Sequence, residues 1–267
     1  MIEEWAQVVV VILLGACFGS FLNVVIYRLP RGRSIIWPSS RCGVCRSPVK
    51  SSRNLPILSF LLNRGRCSEC GAVYSARYFL IELLTPLCLL AVWSVHGWSI
   101  QTLFLGFFVM LLIAASFIDL DLRIIPDSLS LGAWGVALFL AFVSQPQFPL
   151  SFMESLIGSA IGFLSFYGLS RGYALLTGEE GLGGGDVKLM GLIGAMLGWQ
   201  GVLTTTLVAS LSGAVVGLCL ILFLGKHRRY PIPFGPFLAV GAFFHVLQLD
   251  SIFGWGGIQI WLESILG

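Results

Sequence analysis

Eight apolar stretches follow one another along the chain, near residues 5–27, 78–97, 101–118, 128–145, 152–175, 186–199, 201–225 and 232–249, and they leave few architectures open. Crossing the ~30 Å hydrocarbon core of a bilayer takes about 20 apolar residues as an α-helix. Inside lipid, every backbone N–H and C=O must be paired within its own segment or within a closed barrel. A barrel needs segments of about ten residues that alternate apolar and polar positions, whereas these stretches are apolar throughout. Composition agrees: 57% of the 267 residues are hydrophobic and 11% charged, with a mean hydropathy of +0.90. The expected fold is an all-α polytopic membrane protein of about eight transmembrane helices. The sixth is short and follows a run of glycines.

Charge sets the orientation. With Glu3 and Glu4 outside, all 16 Lys and Arg fall on the inner side or at its boundary, ten of them between Arg28 and Arg77. That is the positive-inside pattern. The net charge of +3 then reflects topology, no nucleic-acid partner is expected, and the anionic headgroups of membrane lipid account for the basic loops. Leu14-Gly15-Ala16-Cys17 faintly resembles a lipoprotein cleavage site. A signal peptide needs a basic leading region, however, and here acids precede the span while Arg28, Arg31 and Arg33 follow it. Cys17, like Cys88 and Cys219 in other spans, is expected to be a small buried residue.

Only residues 28–77 read as a soluble module. They hold RCGVCRSPVK and GRCSECGAVY, so that Cys42, Cys45, Cys67 and Cys70 form two CxxC pairs with 21 residues between them. Four thiolates at this zinc-ribbon-like spacing can close a tetrahedral Zn²⁺ site. Two disulfides are the alternative, disfavoured by a reducing cytoplasm. With no histidine nearby and no open coordination position, such a zinc is structural, and it offsets the weakness of a module too small for a large core.

Ionisable groups at membrane depth are costly and usually functional. The third span ends in ASFIDLDLRIIPDSLS, which puts Asp119, Asp121 and Asp127 at the cytoplasmic boundary, and Asp186 falls at the same boundary. Two carboxylates brought together there can divide the labour, one protonated as an acid and the other activating water. Asp121 is read as a solvated partner for Arg123, and Asp127 as a cap of the fourth span. Asp119 follows directly on LLIAASFI and fits a solvated role least. In GLGGGDVKLM, Gly183, Gly184 and Gly185 permit positive φ and close backbone approach. They also let a helix start abruptly, with Asp186 near its N-terminus. A phosphate loop would need GxxxxGK[ST], which is absent, and a plain flexible connector is the bland alternative. Lys188 either acts on Asp186 or anchors its span to headgroups, the second being preferred because positions two apart on a helix do not face each other.

Beyond these features, GACFGSFLNVVIYRLPRG at 15–32, the two CxxC pairs with LPILSFLLNRGRC between them, SARYFLIELLT at 75–85, FIDLDLRIIPD at 117–127, GGGDVKLMGLIGAMLGWQG at 183–201 and IPFGPFLAVGAF at 232–243 occur in one order over nearly the whole chain. In these the sequence resembles the type IV prepilin peptidases, membrane aspartic proteases of the GxGD type. The resemblance implies catalytic aspartates at Asp119 and Asp186, with Gly183 and Gly185 as the glycines of the motif and Gly184 at its variable position. It further implies cleavage of the basic leader of a prepilin or pseudopilin at the cytoplasmic face of the bacterial inner membrane. N-methylation of the new N-terminus with S-adenosylmethionine is then expected, because family members lacking the cytoplasmic module are peptidases only. Four parts follow: a first transmembrane helix at 1–27, the four-cysteine zinc module at 28–77, a polytopic peptidase domain at 78–250 and a C-terminal interfacial segment at 251–267.

No Rossmann-like glycine motif follows a strand in this chain. Glu82, in RYFLIELL beside the membrane, is the candidate for the amine or the charged groups of the methyl donor, or else a partner of Arg77. Three other readings remain: a peptidase without methyl transfer, a proton-coupled transporter, and a zinc-stabilised scaffold. A transporter would place acids near the bilayer midplane and show an internal repeat, and a scaffold would need no carboxylate pair.

Overall fold

The computed structural model describes residues 2–48, 55–179, 181–225 and 232–248, so the expected interfacial segment at 251–267 lies outside the described residues. The chain divides into two compact units, Met1–Gly97 and Trp98–Gly267. All regular elements among the described residues are helical, apart from two isolated β-bridges.

The first unit contains α1 (Ile2–Arg28), a 3₁₀ turn at Leu29–Arg31, the short α2 (Leu58–Leu62) and α3 (Ala76–His96). Helix α3 starts where the Ser75 side chain accepts from the Arg77 N–H, and it ends at Gly97, whose φ of 63° suits glycine. Helices α1 and α3 touch through small residues. A Cβ on Gly15 would fall within 2.5 Å of the Pro86 Cα, and one on Gly19 would lie 2.9 Å from the Glu82 Cα. Four-residue spacing puts Gly15, Gly19, Asn23 and Tyr27 on one face of α1. The two glycines thus bring Asn23 up to the start of α3, where its Nδ2 donates to the Tyr78 carbonyl at 3.1 Å.

The second unit runs α4 (Ile100–Leu122), a π-turn at Ser128–Gly132, α5 (Ala133–Val143), α6 (Phe152–Thr177), α7 (Gly184–Leu224) and α8 (Gly235–Val246). Ser151 and Glu154 form a reciprocal capping box at the start of α6. Non-helical backbone at Gly198, with φ 70° and ψ −174°, breaks α7 into 184–197 and 199–224. A side chain is strained in that region of φ/ψ, so glycine is needed there. The two pieces correspond to the sixth and seventh apolar stretches. Glycines again set the spacing: Gly158 and Gly162 of α6 lie against the backbone of Gly194 and Met190 of α7, and Gly241 of α8 against that of Thr205.

Among the described residues, five helices are long and apolar enough to cross a membrane: Trp5–Arg31, Ala76–His96, Ile100–Leu122, Phe152–Thr177 and Gly184–Phe223, the last containing the break. The fourth and eighth stretches form shorter apolar helices, Ser128–Val143 and Gly235–Val246. One expectation fails here. Cys17 and Cys219 are exposed and Cys88 is half-buried, because a helix in lipid is apolar on its outward face as well as its inward one, and hydropathy cannot tell the two apart.

Candidate active site

In the second unit, the apolar run LLIAASFI ends in acids of different fates. Asp119 lies on the last turn of α4 and is 5% exposed, whereas Asp121 and Asp127 are exposed. The left-handed Arg123 closes α4 by donating its N–H to the Asp119 carbonyl. Burial thus singles out the acid that follows the apolar run most directly. Asp186, 9% exposed, sits in the first turn of α7 just after the glycines. The two carboxyl groups are close enough for the charge on Asp119 to act on Asp186.

A residue that sequence reasoning did not single out holds the first of them. The backbone N–H of Gly235, at the start of α8, donates to Asp119 Oδ2 at 2.9 Å, and a Cβ at Gly235 would lie 2.8 Å from the same oxygen. The signal was present in FGPF: a glycine before a proline at a helix start marks a backbone brought close to something.

The glycine run acts by close approach, as expected, and not through the expected positive φ. Gly183 has φ −64°, and none of the three is among the positive-φ glycines. A Cβ on Gly183 would meet Asp186 Oδ2 at 3.2 Å and one on Gly185 would meet the Ile125 Cβ at 3.0 Å, while Gly184 has nothing within 4 Å. The run therefore lets the start of α7 seat against the IIPD loop. Lys188 is engaged by Asp127 at 2.5 Å, not left to headgroups. Asp127 likewise makes no capping hydrogen bond at the π-turn, because its carboxylate is turned to that lysine.

In the first unit, each CxxC pair sits on a tight turn. The Cys42 N–H donates to the Ser47 carbonyl and the Cys67 N–H to that of Ala72, and a β-bridge closes each turn, Arg41 with Pro48 and Arg66 with Val73. The four Sγ atoms all lie within 4.8 Å of one another, with Cys42 to Cys70 at 3.8 Å and Cys45 to Cys67 at 4.0 Å. Tetrahedral ligands with Zn–S bonds of about 2.3 Å stand about 3.8 Å apart. All four cysteines are free, so the disulfide alternative is not realised. The N–H groups of Cys70 and then Glu69, with the Tyr74 hydroxyl, aim at the Cys67 sulfur and pull its pKa down to about 6, which favours the thiolate a metal needs. The cluster fits a four-coordinate metal ion.

A cavity of about 670 Å³ opens beside this cluster, bounded by the end of α1, the start of α3 and the cysteine turns. Asn23, Tyr78 and Glu82 line it. Glu82 is half-buried and accepts from the Ile57 N–H at 2.7 Å.

Each of the two units matches one family model. Residues 13–96 match the bacterial peptidase A24 N-terminal domain, and residues 106–218 match the type IV leader peptidase family. The chain is 39% identical to a prepilin leader peptidase/N-methyltransferase of Aeromonas hydrophila, over 94% of each chain. Proteins of the same name from Legionella pneumophila, 34% identical over 94% of each chain, and Myxococcus xanthus, 41% identical over 80% of this chain and 63% of that one, are also similar. No solved structure matches. The chain belongs to the type IV leader peptidase family.

Proposed function

We propose that this protein is a membrane aspartic endopeptidase that removes the leader of type IV prepilins or pseudopilins at the cytoplasmic face of the bacterial inner membrane, and then N-methylates the new N-terminus. The observation that carries the reading is the pair of buried carboxyl groups, Asp119 and Asp186, within reach of each other's charge in a chain of this family. One carboxylate takes a proton from a water, which attacks the scissile carbonyl, while the other, protonated, donates to the departing amine. The Gly235 N–H fixes the Asp119 oxygen and so its aim. The acids stand at the ends of apolar helices, which matches a scissile bond between a basic leader and an apolar helix.

The domains of this reading are a first transmembrane helix at 1–27, a zinc-stabilised module at 28–77, and the peptidase domain from 78 to 250. Zn²⁺ is held by Cys42, Cys45, Cys67 and Cys70, where the sulfur spacing suits it. S-adenosylmethionine supplies the methyl group as an electrophilic carbon on a sulfonium. The relatives' name, prepilin leader peptidase/N-methyltransferase, supports both activities. Detergent-solubilised protein incubated with a synthetic prepilin should shorten it at the junction of leader and apolar helix. An intact substrate after incubation with folded protein would remove the proposal.

A further inference from the structure

The stretch that reads as a soluble module carries one run that does not. LPILSFLL, at 55–62, holds four leucines in eight residues, and all four are exposed: Leu55 by 51%, Leu58 by 54%, Leu61 by 56% and Leu62 by 79%. Exposed apolar surface that is contiguous in this way marks an interaction site. We propose that α2 (Leu58–Leu62) seats this module on the bilayer, its leucine face lying among the headgroups and upper acyl chains of the leaflet on the basic side, with anionic lipid as its partner. The proposal goes beyond both activities above and depends on neither. It requires only that α3 crosses the bilayer.

Local packing decides which side of α2 looks outward. Positions i, i+3 and i+4 of a helix share a face, so Leu58, Leu61 and Leu62 stand together, while Ser59, Phe60 and Asn63 are half-buried on the other side. The Phe60 ring stacks on Phe79 of α3 with centroids 5.2 Å apart. Just before α2, the Ile57 N–H donates to Glu82 Oε2 at 2.7 Å. After it, Gly65 turns the chain at a φ of 66° and donates its N–H to the Phe60 carbonyl at 2.8 Å. A Cβ on Gly65 would stand 2.9 Å from the Phe60 ring. Helix α2 is thus held at both ends with its leucines turned outward.

These contacts fix its depth. Helix α3 has 21 residues, so at 1.5 Å per residue it is about 31 Å long, which matches the ~30 Å hydrocarbon core. Phe79 and Glu82 lie three and six residues after its first, Ala76. Helix α2 therefore sits level with the first ~9 Å of a membrane span, and helices that lie in a membrane surface bury their apolar face by about 5–10 Å.

Charge selects the partner. Residues 28–77 carry ten Lys or Arg against a single acid, Glu69. Arg64 and Arg66, both exposed, follow α2 directly, and arginine side chains can reach out to phosphates while the leucines stay among acyl chains. The apolar helix of another protein would cover the leucines but offer these cations nothing. The Arg66–Val73 bridge and the Tyr74 N–H, which donates to the Gly65 carbonyl at 2.6 Å, tie the second cysteine turn to α2. The bilayer then sets the height of the cysteine cluster.

The test places the photoreactive residue p-benzoylphenylalanine at Leu62 of the full-length protein, reconstituted in vesicles of phosphatidylethanolamine and phosphatidylglycerol. The same probe at Leu87, 54% exposed on α3, serves as the reference for a lipid-facing position. After illumination, mass spectrometry should find phospholipid attached at both. A Leu62 probe that captures a second copy of the chain, or captures nothing while Leu87 captures lipid, overturns the proposal. Replacing phosphatidylglycerol by phosphatidylcholine should lower the lipid yield at Leu62 at least about twofold and leave Leu87 unchanged; an equal yield at Leu62 overturns the choice of anionic lipid. Hydrogen exchange on protein without the probe gives an independent reading. In the first vesicles, the amides of residues 58–65 should exchange at least about tenfold faster in the double variant Leu61→Asp, Leu62→Asp than in the wild type, at an unchanged melting temperature. Equal exchange in the two folded proteins overturns the seating of α2.

Discussion

The Gly235 N–H donates to Asp119 Oδ2 at 2.9 Å, so the start of α8 holds one of the two buried carboxyl groups from a position 116 residues away in sequence. Nothing larger than glycine fits, because a Cβ would stand 2.8 Å from that oxygen and 3.3 Å from Asp119 Cβ and Cγ.

Gly235→Ala should therefore displace the Asp119 carboxylate while leaving the fold in place. Misplacing a reacting group by about 1 Å can cost about 10²-fold in rate, and a loss of that order in kcat for leader removal is expected. The check is cleavage kinetics beside a melting curve. Full activity in a folded Gly235→Ala protein would mean that the contact does not aim Asp119.

The three glycines before Asp186 should behave differently from one another. Gly184→Ala should keep near-normal cleavage, since nothing lies within 4 Å of its added Cβ. Gly185→Val must push against the Ile125 side chain and its backbone nitrogen, at 3.0 and 3.3 Å, and should lower cleavage strongly. Gly183→Val crowds Asp186 Oδ2 itself. Equal sensitivity at all three positions would contradict this reading of the run.

The pair of Lys188 and Asp127 should matter little to chemistry. Asp127 is 66% exposed as a side chain, and exposed pairs contribute about 0–1 kcal/mol. Asp127→Asn and Lys188→Met should each keep most cleavage activity and shift the melting temperature by only a few degrees. A large loss of activity from Asp127→Asn would bring that acid into the mechanism.

Much of this arrangement was readable in the residues. The eight apolar stretches survive as helices because lipid forces every backbone group into an internal bond, and the gap between the sixth and seventh falls two residues after the break at Gly198. The burial of Asp119 over Asp121 and Asp127 followed from its place at the end of an apolar run, and the cysteine cluster from its spacing. What the sequence could not show were contacts between distant segments. Gly235 on Asp119, Lys188 on Asp127 and the Glu82 backbone on Gly19 all depend on packing. Hydropathy could not tell which face of a helix meets lipid, so Cys17 and Cys219 were misjudged. Glycine's two uses, positive φ and close approach, look identical in a sequence, and only the backbone of Gly183 to Gly185 separates them.

Purified protein should contain about one zinc per chain, and a strong chelator should lower its melting temperature as the cysteine turns lose their common centre. Since the cysteine turns belong to the first unit and the carboxyl pair to the second, leader cleavage should be affected only indirectly. Elemental analysis finding no zinc in a folded preparation active in both steps would reject the metal assignment.

The most direct test of the account is the cleavage rate of Asp119→Asn and Asp186→Asn proteins, expressed and folded at wild-type levels, on a synthetic prepilin. Asparagine keeps the shape of each side chain but can neither take nor give the transferred proton, so each variant should lose at least about 10²–10⁴-fold in rate. Asp121→Asn, at an exposed position on the same helix, should remain active. Normal leader removal by either the Asp119→Asn or the Asp186→Asn protein would contradict the aspartic mechanism.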